Sequence, residues 1–451
     1  MNVISALLIF TVIVVVHEAG HCLLAKKNGI FVTEFSVGMG PRLISWMKAD
    51  KKWEIKFLVS AIEFDDAKWA GHTKYSIKLL PLGGSCMMLG EDELLDREDS
   101  FNKKGVWARF SAVVAGPVFN FLLAFVLSVI LIGCTGTDLP YIAHVYENRP
   151  GIEAGLEKGD KIISIEGKKM VLGRDITMFE TFDIAGYDEL DLVIERDGKI
   201  KEITMDVNYD ACLYGFSYTQ SDDAAEISQV NEDLPFMKAG IEAGDIITAI
   251  DGTEIHSGNE LAAYMNDIKV DENAELEFTY ERDGKEITTM VSPQFYEGKS
   301  LGIYAGMYQK LSPIKVIAYS FSEVRYWIVS TIRTLGQLIT GKVSTKNLMG
   351  AVGIVDMVGG VIESSQPQGL SVVLLSLVNM CILLSANLGV MNLLPIPALD
   401  GGRLVFILIE AVRKKPIDQE KEGLVHLIGF ALLMLLMVYV MFNDIRRIFH
   451  I

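Results

Sequence analysis

The chain has few cysteines, and none of them form a pattern. Cys22, Cys86, Cys134, Cys212 and Cys381 are scattered, odd in number and without a C-x-x-C pair, so no disulfide framework is implied. A dense Lys/Arg tract is also missing, which argues against a nucleic-acid partner. The first apolar run lacks a basic leader and a small-residue cleavage site, so it is not read as a removable secretory signal. Charge is absent over long stretches. Phe110–Cys134 runs 25 residues and Leu370–Leu399 runs 30 without Asp, Glu, Lys or Arg.

What charge there is sits elsewhere. Half of the 451 residues are apolar, yet the net charge is −17. Residues 135–310 hold 15 basic and 36 acidic residues, a net of −21, which leaves the rest near +4. A chain divided between membrane and water combines these traits easily. The acidic block reads as soluble, and its acidity serves solubility rather than a particular cationic partner.

Four runs have the length of a bilayer crossing, about 20 residues: Val3–Ala25, Phe110–Cys134, Leu370–Leu399 and Leu424–Phe442. Residues 26–109 hold 14 Lys/Arg, and Arg403, Arg413, Lys414 and Lys415 follow the third run. The positive-inside rule therefore makes these loops cytoplasmic and the acidic block external. Arg446 and Arg447 run against that trend. Within the acidic block, residues 148–170 and 232–255 repeat an A-G-[IL] step followed by G-D-x-I, and each copy leads to E-R-D-G-K, a hairpin signal between alternating strands. Two similar β-rich domains are expected, at 135–215 and 216–308. Residues 309–369 follow, and their amphipathic helical pattern suits a helix lying along the membrane surface.

The first apolar run ends in HEAGH, residues 17–21. Ionisable groups at membrane depth cost roughly 2.5–3.5 kcal/mol each on insertion scales and mark function by default. His17 and His21 share a helix face and can hold one zinc ion; Glu18, beside the first of them, can take a proton from water that the ion polarises. The bland alternative is three polar groups bonded to one another within a helix bundle. A catalytic zinc needs a third protein ligand, and Asp400 in NLLPIPALDGG is the candidate. HEAGH lies about 22 Å along its run at 1.5 Å per residue, near the inner end, as does Asp400. Pro395 and Pro397 break the third run just before Asp400. Asn392 could donate to a developing oxyanion, or simply cap a helix. His72, His144, His256 and His426 read as ordinary.

With these residues in view, the chain resembles the bacterial site-2 protease family, the RseP-type intramembrane zinc metalloproteases. The matching segments are HEAGH, FSVGMGP (35–41), KYSIKLLPLGGSCMMLGE (74–91), AGPVFNFLLA (115–124), the two repeats and NLLPIPALDGG. The resemblance implies a polytopic α-helical membrane protein with four transmembrane helices, a membrane re-entrant β-hairpin and two extracytoplasmic β-rich PDZ domains. In that scheme 1–134 holds the first two helices, the HEAGH site and the hairpin (about 72–90), and 370–451 holds the last two helices. It implies one Zn2+ per chain on His17, His21 and Asp400, with Glu18 as general base and Asn392 assisting. It implies that Tyr75, Ile77, Leu79, Gly83, Gly84, Ser85 and Met87 line an added substrate strand. The substrates would be single-span membrane proteins already trimmed by a site-1-type protease, such as anti-sigma factors or signal-peptide remnants, cut in a bacterial inner or plasma membrane with the zinc toward the cytoplasm. Ser85 and Cys86 replace the family's usual aromatic and β-branched residues, and Ala351 replaces a proline. A non-catalytic membrane-anchored PDZ adaptor, or a metal transporter, would leave either HEAGH or the repeats unexplained.

Overall fold

The structure is a computed structural model and describes residues 2–49, 52–60, 71–91, 95–231, 233–267, 275–343, 348–415 and 417–449. Two compact units divide the chain, Met1–Gly136 with Lys310–Ile451, and Thr137–Gln309. In chain order the longer helices are α1 (Asn2–Lys27), α2 (Val106–Thr135), α3 (Gly173–Phe182), α4 (Gly258–Asp267), α5 (Pro313–Ile339), α6 (Ala351–Ser365), α7 (Leu370–Leu393), α8 (Asp400–Arg413) and α9 (Gln419–Phe449).

Among the described residues, four segments are long and apolar enough to cross a membrane: Val3–Lys27, Val106–Thr135, Leu370–Leu393 and Glu420–Arg446. They coincide with the four runs read from the sequence. α7 stops at Leu393 because Pro395 and Pro397 bring no N–H and push their preceding residues out of the helical region. α1 and α2 meet closely: a Cβ on Gly20 would stand 2.5 Å from the Ala115 carbonyl oxygen. Within lipid, helices associate by packing rather than by hydrophobic gain, so small residues at the contact matter.

The region expected to be an amphipathic membrane-surface helix, 309–369, holds α5 and α6 among its described residues. α5 follows α2 and α7. Phe321 packs on Phe125 with ring centroids 4.3 Å apart, Val324 shares a core with Ala124, Ile382 and Ala386, and Thr331 Oγ1 donates to Asn387 Oδ1. The amphipathic pattern is real, but its apolar side meets spanning helices. Glu323 is buried among them and accepts from the Trp327 indole N–H at 2.8 Å. α6 packs on α1 and α7 through Val358 and Ile362. Asp444 of α9 accepts from the N–H groups of Gly350 and Gly353, at 3.0 and 2.8 Å, which satisfies the open end of α6.

Between α1 and α2 lie β1 (Val32–Ala49), β2 (Lys52–Phe57) and β3 (Lys74–Met88), in the order β2–β1–β3. β1 doubles back at Gly38 and Gly40, and β3 at Gly83, all with positive φ. Val37 therefore faces both Gly84 and Ile77, and Ser76 faces both Ser36 and Ser45. The hairpin expected at 72–90 is thus not self-standing. Its limbs are sewn into β1, a strand that the sequence reading left unassigned. Glu34, Ser36, Ser45 and Ser76 are buried in this sheet, with Arg42 donating twice to Glu34 at 3.0 Å. Trp53, Ile55, Phe57, Leu79 and Leu80 are exposed.

The unit Thr137–Gln309 carries β4 (Thr137–Val145), β5 (Lys161–Ile165), β6 (Glu189–Arg196), β7 (Lys199–Asp206), β8 (Asn208–Leu213), β9 (Phe216–Tyr218), β10 (Ile227–Val230), β11 (Ile246–Ile250), β12 (Leu276–Arg282), β13 (Lys285–Val291), β14 (Gln294–Lys299) and β15 (Ile303–Gln309). The repeat is present, but the boundaries 135–215 and 216–308 need correction. β15 pairs with β4, from Ile303 against Val145 to Gln309 against Thr137. Leu301 and Ile303 belong to the first core with Ile142, Ile162 and Leu192, whereas the second core runs from Tyr214 to Val291. The second domain is inserted in the first, and β8 pairs with β14 at the neck. Two tandem motifs cannot reveal which copy receives the last strand.

The two matching halves of each repeat explain each other. Arg196 of the first R-D-G-K lies 2.6 Å from Asp160 of the first G-D, and Arg282 lies 2.6 Å from Asp245 of the second. Both acids are buried and also accept a backbone N–H, from Glu157 and Glu242. Asp197–Gly198 and Asp283–Gly284 all have positive φ, as a two-residue hairpin turn requires. Burial alone would push both acids up; the guanidinium and the backbone N–H outweigh it and hold them below the usual carboxylate range. Arg196→Ala should therefore destabilise the first domain by about 3 kcal/mol at neutral pH, since breaking a buried pair strands its partner's charge. A depressed carboxyl contributes stability above its unfolded pKa of about 3.9 and loses it as pH falls through the folded value. Urea unfolding of parent and variant should differ at neutral pH and converge in strong acid.

Candidate metal centre

α1 is regular through residues 17–21, so His17 and His21 sit one turn apart on one face. Asp400 is the first residue of α8, and the break Leu394–Leu399 returns the chain to it. Gly401 and Gly402 make that return possible: a Cβ on either would stand 2.1 Å from the Leu394 oxygen or 2.4 Å from the Ile396 oxygen. Ala398 in the break has φ of 77°, and its N–H donates to His426 Nδ1 of α9 at 2.9 Å.

The three side chains converge. Asp400 Oδ2 lies 3.2 Å from His17 Nε2 and 3.4 Å from His21 Nε2, and the two Nε2 atoms are 3.2 Å apart. A tetrahedral zinc with ligands at about 2.0–2.1 Å has ligand–ligand edges of about 3.3 Å, so this triangle fits one face of such a site. Asp400 Oδ2 is buried with no hydrogen-bond donor among the described residues. Two imidazole nitrogens and a carboxylate oxygen turned toward a common point, with no donor among them, suit a cation.

The surroundings set the imidazole tautomers. His21 Nδ1–H donates to the Ala112 carbonyl at 2.9 Å, leaving the Nε2 lone pair toward Asp400. His17 Nδ1 lies 3.2 Å from the Asn120 amide, whose Oδ1 is buried without a partner. A half-turn of that amide lets Oδ1 accept the His17 Nδ1–H, which satisfies the orphan and frees Nε2 for metal. Ser385 Oγ donates to the Asn120 carbonyl at 2.8 Å and ties α7 to the same point. Gly116 is the floor of the site: a Cβ there would stand 2.3 Å from His21 Nε2.

Glu18 accepts the Cys86 N–H and lies within electrostatic reach of both histidines and Asp400. Asn392, in the last turn of α7, brings Nδ2 to 3.5 Å from His17 Nε2. Of the residues read as substrate-lining, Gly84 is closest to the chemistry, since a Cβ on it would meet Glu18 Cγ at 3.3 Å. Gly84, Ser85 and Met87 have strand partners on one side only among the described residues (Val37, Ser36 and Glu34), so this limb of β3 is an edge. Gly83 makes the turn, and Leu79 is exposed beside it. Tyr75 and Ile77 are different: each has partners on both sides, Phe35 and Trp46, and Val37 and Ile44. They offer no free edge for an added strand, which corrects their assignment. A cavity of about 710 Å³ reaches Asp400 between Glu91, Arg403, Glu422 and His426. Arg403 pairs with Glu91, and Arg109 of α2 pairs with Glu410 of α8 at 2.5 Å.

Sequence reasoning missed Asn120, Gly116 and the contact made by His426. Asn120 had a legible signal, an amide inside an uncharged run. Gly116 and His426 had none, because their partners are distant in sequence.

A model described as Peptidase family M50 matches residues 5–69 and 61–436. The zinc metalloprotease RasP of Geobacillus kaustophilus is 32% identical over 474 residues, covering 99% of this chain and 98% of that protein. The zinc metalloprotease RasP of Shouchella clausii is 30% identical and covers both chains fully, at 100% each. The regulator of sigma-W protease RasP of Bacillus subtilis is 29% identical, with 99% of each chain covered. Among solved structures, the HtrA3 PDZ domain bound to a phage-derived ligand matches 20% of this chain at 17% identity and a TM-score of 0.17.

Two substitutions separate the site's floor from its fold. Gly116→Ala should abolish zinc retention, whereas Gly133→Ala on the same helix, where a Cβ meets open space, should leave it intact. Asn120→Ala should weaken zinc by about 10–100-fold, the usual cost of losing an outer partner of a ligating histidine. Metal content after dialysis against graded chelator reads both.

Proposed function

Because the chain belongs to peptidase family M50, the site-2 family of zinc metalloproteases, we propose that it hydrolyses peptide bonds within the transmembrane segments of other membrane proteins. The observation that carries this reading is the triangle of His17, His21 and Asp400, the histidines inside one segment long and apolar enough to span a bilayer and the aspartate shortly beyond another. Bound zinc would polarise water and the scissile carbonyl at these three ligands. Glu18 then does the proton work: its carboxylate accepts a proton from the attacking water and returns it to the leaving nitrogen. The Asn392 amide donates to the oxygen on which negative charge develops. The polar cavity behind Asp400 gives water a way to a site otherwise walled by apolar helices.

A helical substrate shields its peptide bonds with its own hydrogen bonds, so it must be extended before it is cut. The Gly84–Met87 limb of β3 supplies the edge that would hold it by strand addition. The exposed apolar side of the sheet, Leu79, Leu80, Trp53 and Phe57, suits lipid, which supports an edge that meets an unwinding segment. Lys/Arg asymmetry between loops supports a metal toward the cytoplasm and Thr137–Gln309 outside, where the two β-rich domains would act as PDZ domains that obstruct bulky external parts. A prior cut by a site-1-type protease would remove that obstruction. Anti-sigma factors and signal-peptide remnants are the substrates of this description; one relative carries the name regulator of sigma-W protease.

In proteoliposomes holding a single-span reporter, Glu18→Gln should lower cleavage by about 10²–10⁴-fold while one zinc per chain remains. Asp400→Ala should lose the metal as well. Cleavage by Glu18→Gln would remove the proposed base, and full zinc in Asp400→Ala would remove the third ligand.

A further inference from the structure

One face of α1 follows the open limb of β3. A Cβ on Gly84 would meet Val14 Cγ1 at 3.6 Å and Glu18 Cγ at 3.3 Å. Glu18 accepts the Cys86 N–H. One turn further on, Cys22 shares a buried apolar cluster with Met88, and Cys86 packs against it. Val14, Glu18 and Cys22 follow one another at four-residue steps, so they form one stripe of the helix. Gly84, Cys86 and Met88 alternate along the limb, so they share the side that faces α1. Met87 is on the other side and exposed, and the Ser85 hydroxyl bonds with that of Ser36 at 2.8 Å.

Two thiols meet where the stripes run together. Cys22 and Cys86 are hydrogen-bond partners. Both are free cysteines, Cys22 buried and Cys86 half-buried. The proposed hydrolysis uses neither sulfur. As small apolar side chains they would only fill space; as a facing pair they can also form a bond.

We propose that Cys22 and Cys86 are an oxidisable pair, which a hydroperoxide closes to a disulfide that fastens the open limb of β3 to the helix carrying Glu18. That oxidant alone balances the step. One sulfur attacks the O–O bond and becomes a sulfenic acid, S–OH, while the other oxygen leaves with the thiol proton as an alcohol or water. The second sulfur displaces the hydroxyl, which leaves as water with the second thiol's proton. A dithiol reductant reverses the bond by exchange. As the sulfurs close from contact to a bond, the limb moves with Cys86. The same limb sets Gly84 against Glu18, and a displacement of about 1 Å at a reacting geometry can cost about 10²-fold in rate.

The test treats the full chain in proteoliposomes with hydrogen peroxide, which arrives from water, or cumene hydroperoxide, which arrives from lipid. Free thiols are then blocked and the digest is read by mass spectrometry without reductant. Either oxidant should join Cys22 to Cys86 in a bond that dithiothreitol reverses, and the faster one names the side from which the oxidant comes. Sulfenic acid trapped by dimedone on either sulfur without a link between them overturns the proposal, as does no oxidation of either. Hydrogen exchange reads the fastening. Amides of residues 84–87 should exchange more slowly in the linked chain than in the reduced one, and unchanged exchange overturns the proposal. Only the cleavage arm rests on the proposed hydrolysis. The linked parent should cut the single-span reporter about 10²-fold more slowly with its zinc retained, and dithiothreitol should restore it. Cys22→Ala should cut like the reduced parent before and after oxidant. Full cleavage by the linked parent, or an equal loss in oxidised Cys22→Ala, overturns the proposal. A reduced parent that never cuts overturns the hydrolysis instead, and the link and the exchange still decide the thiol pair. Cys22→Ser is read in place of Cys22→Ala if the latter does not fold.

Discussion

The carboxylate of Asp400 must reach two imidazoles that precede it by nearly the whole chain, and it must do so among segments long and apolar enough to span a bilayer, where few backbone groups can turn to water. That second condition governs the architecture. Irregular backbone at membrane depth survives only inside protein or beside a wet cavity. The break after Leu393 meets both terms: its carbonyls close onto Gly401 and Gly402, and a polar cavity lies against Asp400. The helix pair α1 and α2 supplies the opposite wall by shedding side chains, at Gly20 for helix contact and at Gly116 for room under the imidazoles.

The sheet between α1 and α2 divides its work between two limbs. The limb 75–77 is locked between both arms of β1 and gives rigidity, helped by the buried Glu34–Arg42 pair. The limb 84–87 keeps one side open and passes beside Glu18. A polar interior with an apolar exterior is the inverse of a water-soluble sheet, and it is the order that lipid rewards. The positive-φ glycines Gly38, Gly40 and Gly83 are what allow one strand pair to act as four limbs.

Much of this could be read in the sequence. The four spans, the metal triad, the G-D and R-D-G-K repeat and the helix break at Pro395 each follow from local periodicity or from residue chemistry. What could not be read was pairing at long range. Nothing local says that β15 completes the first β-rich domain after the second has intervened, or that FSVGMGP doubles back to enclose Tyr75 and Ile77. The amphipathic pattern of α5 is visible, but amphipathicity names an apolar face and not its partner; part of that face packs on α2 and α7. Asn120 was visible as an amide in an uncharged run and was passed over, because one polar residue in a span has many uses until its neighbour is known to be His17.

The three proposed ligands do not rest on equal supports. His17 and His21 stand in the middle of a regular helix, and their ring nitrogens are fixed by Ala112 and Asn120 of the adjoining helix. Asp400 stands just past a non-helical loop in which Ala398 adopts a conformation costly for a residue with a Cβ. That loop is held from outside by α9: His426 accepts the Ala398 N–H, and Gly429 lies against Pro397, where a Cβ would stand 2.4 Å away. α9 is also the span with the smallest share of its surface covered by protein, and most of its apolar side chains are exposed. Asp400 is therefore positioned by the least covered of the four spans, while the two histidines are positioned by α1 and α2, which the protein covers more. Any displacement of α9 acts first on the loop that presents Asp400, and the histidine pair stays where α1 and α2 hold it.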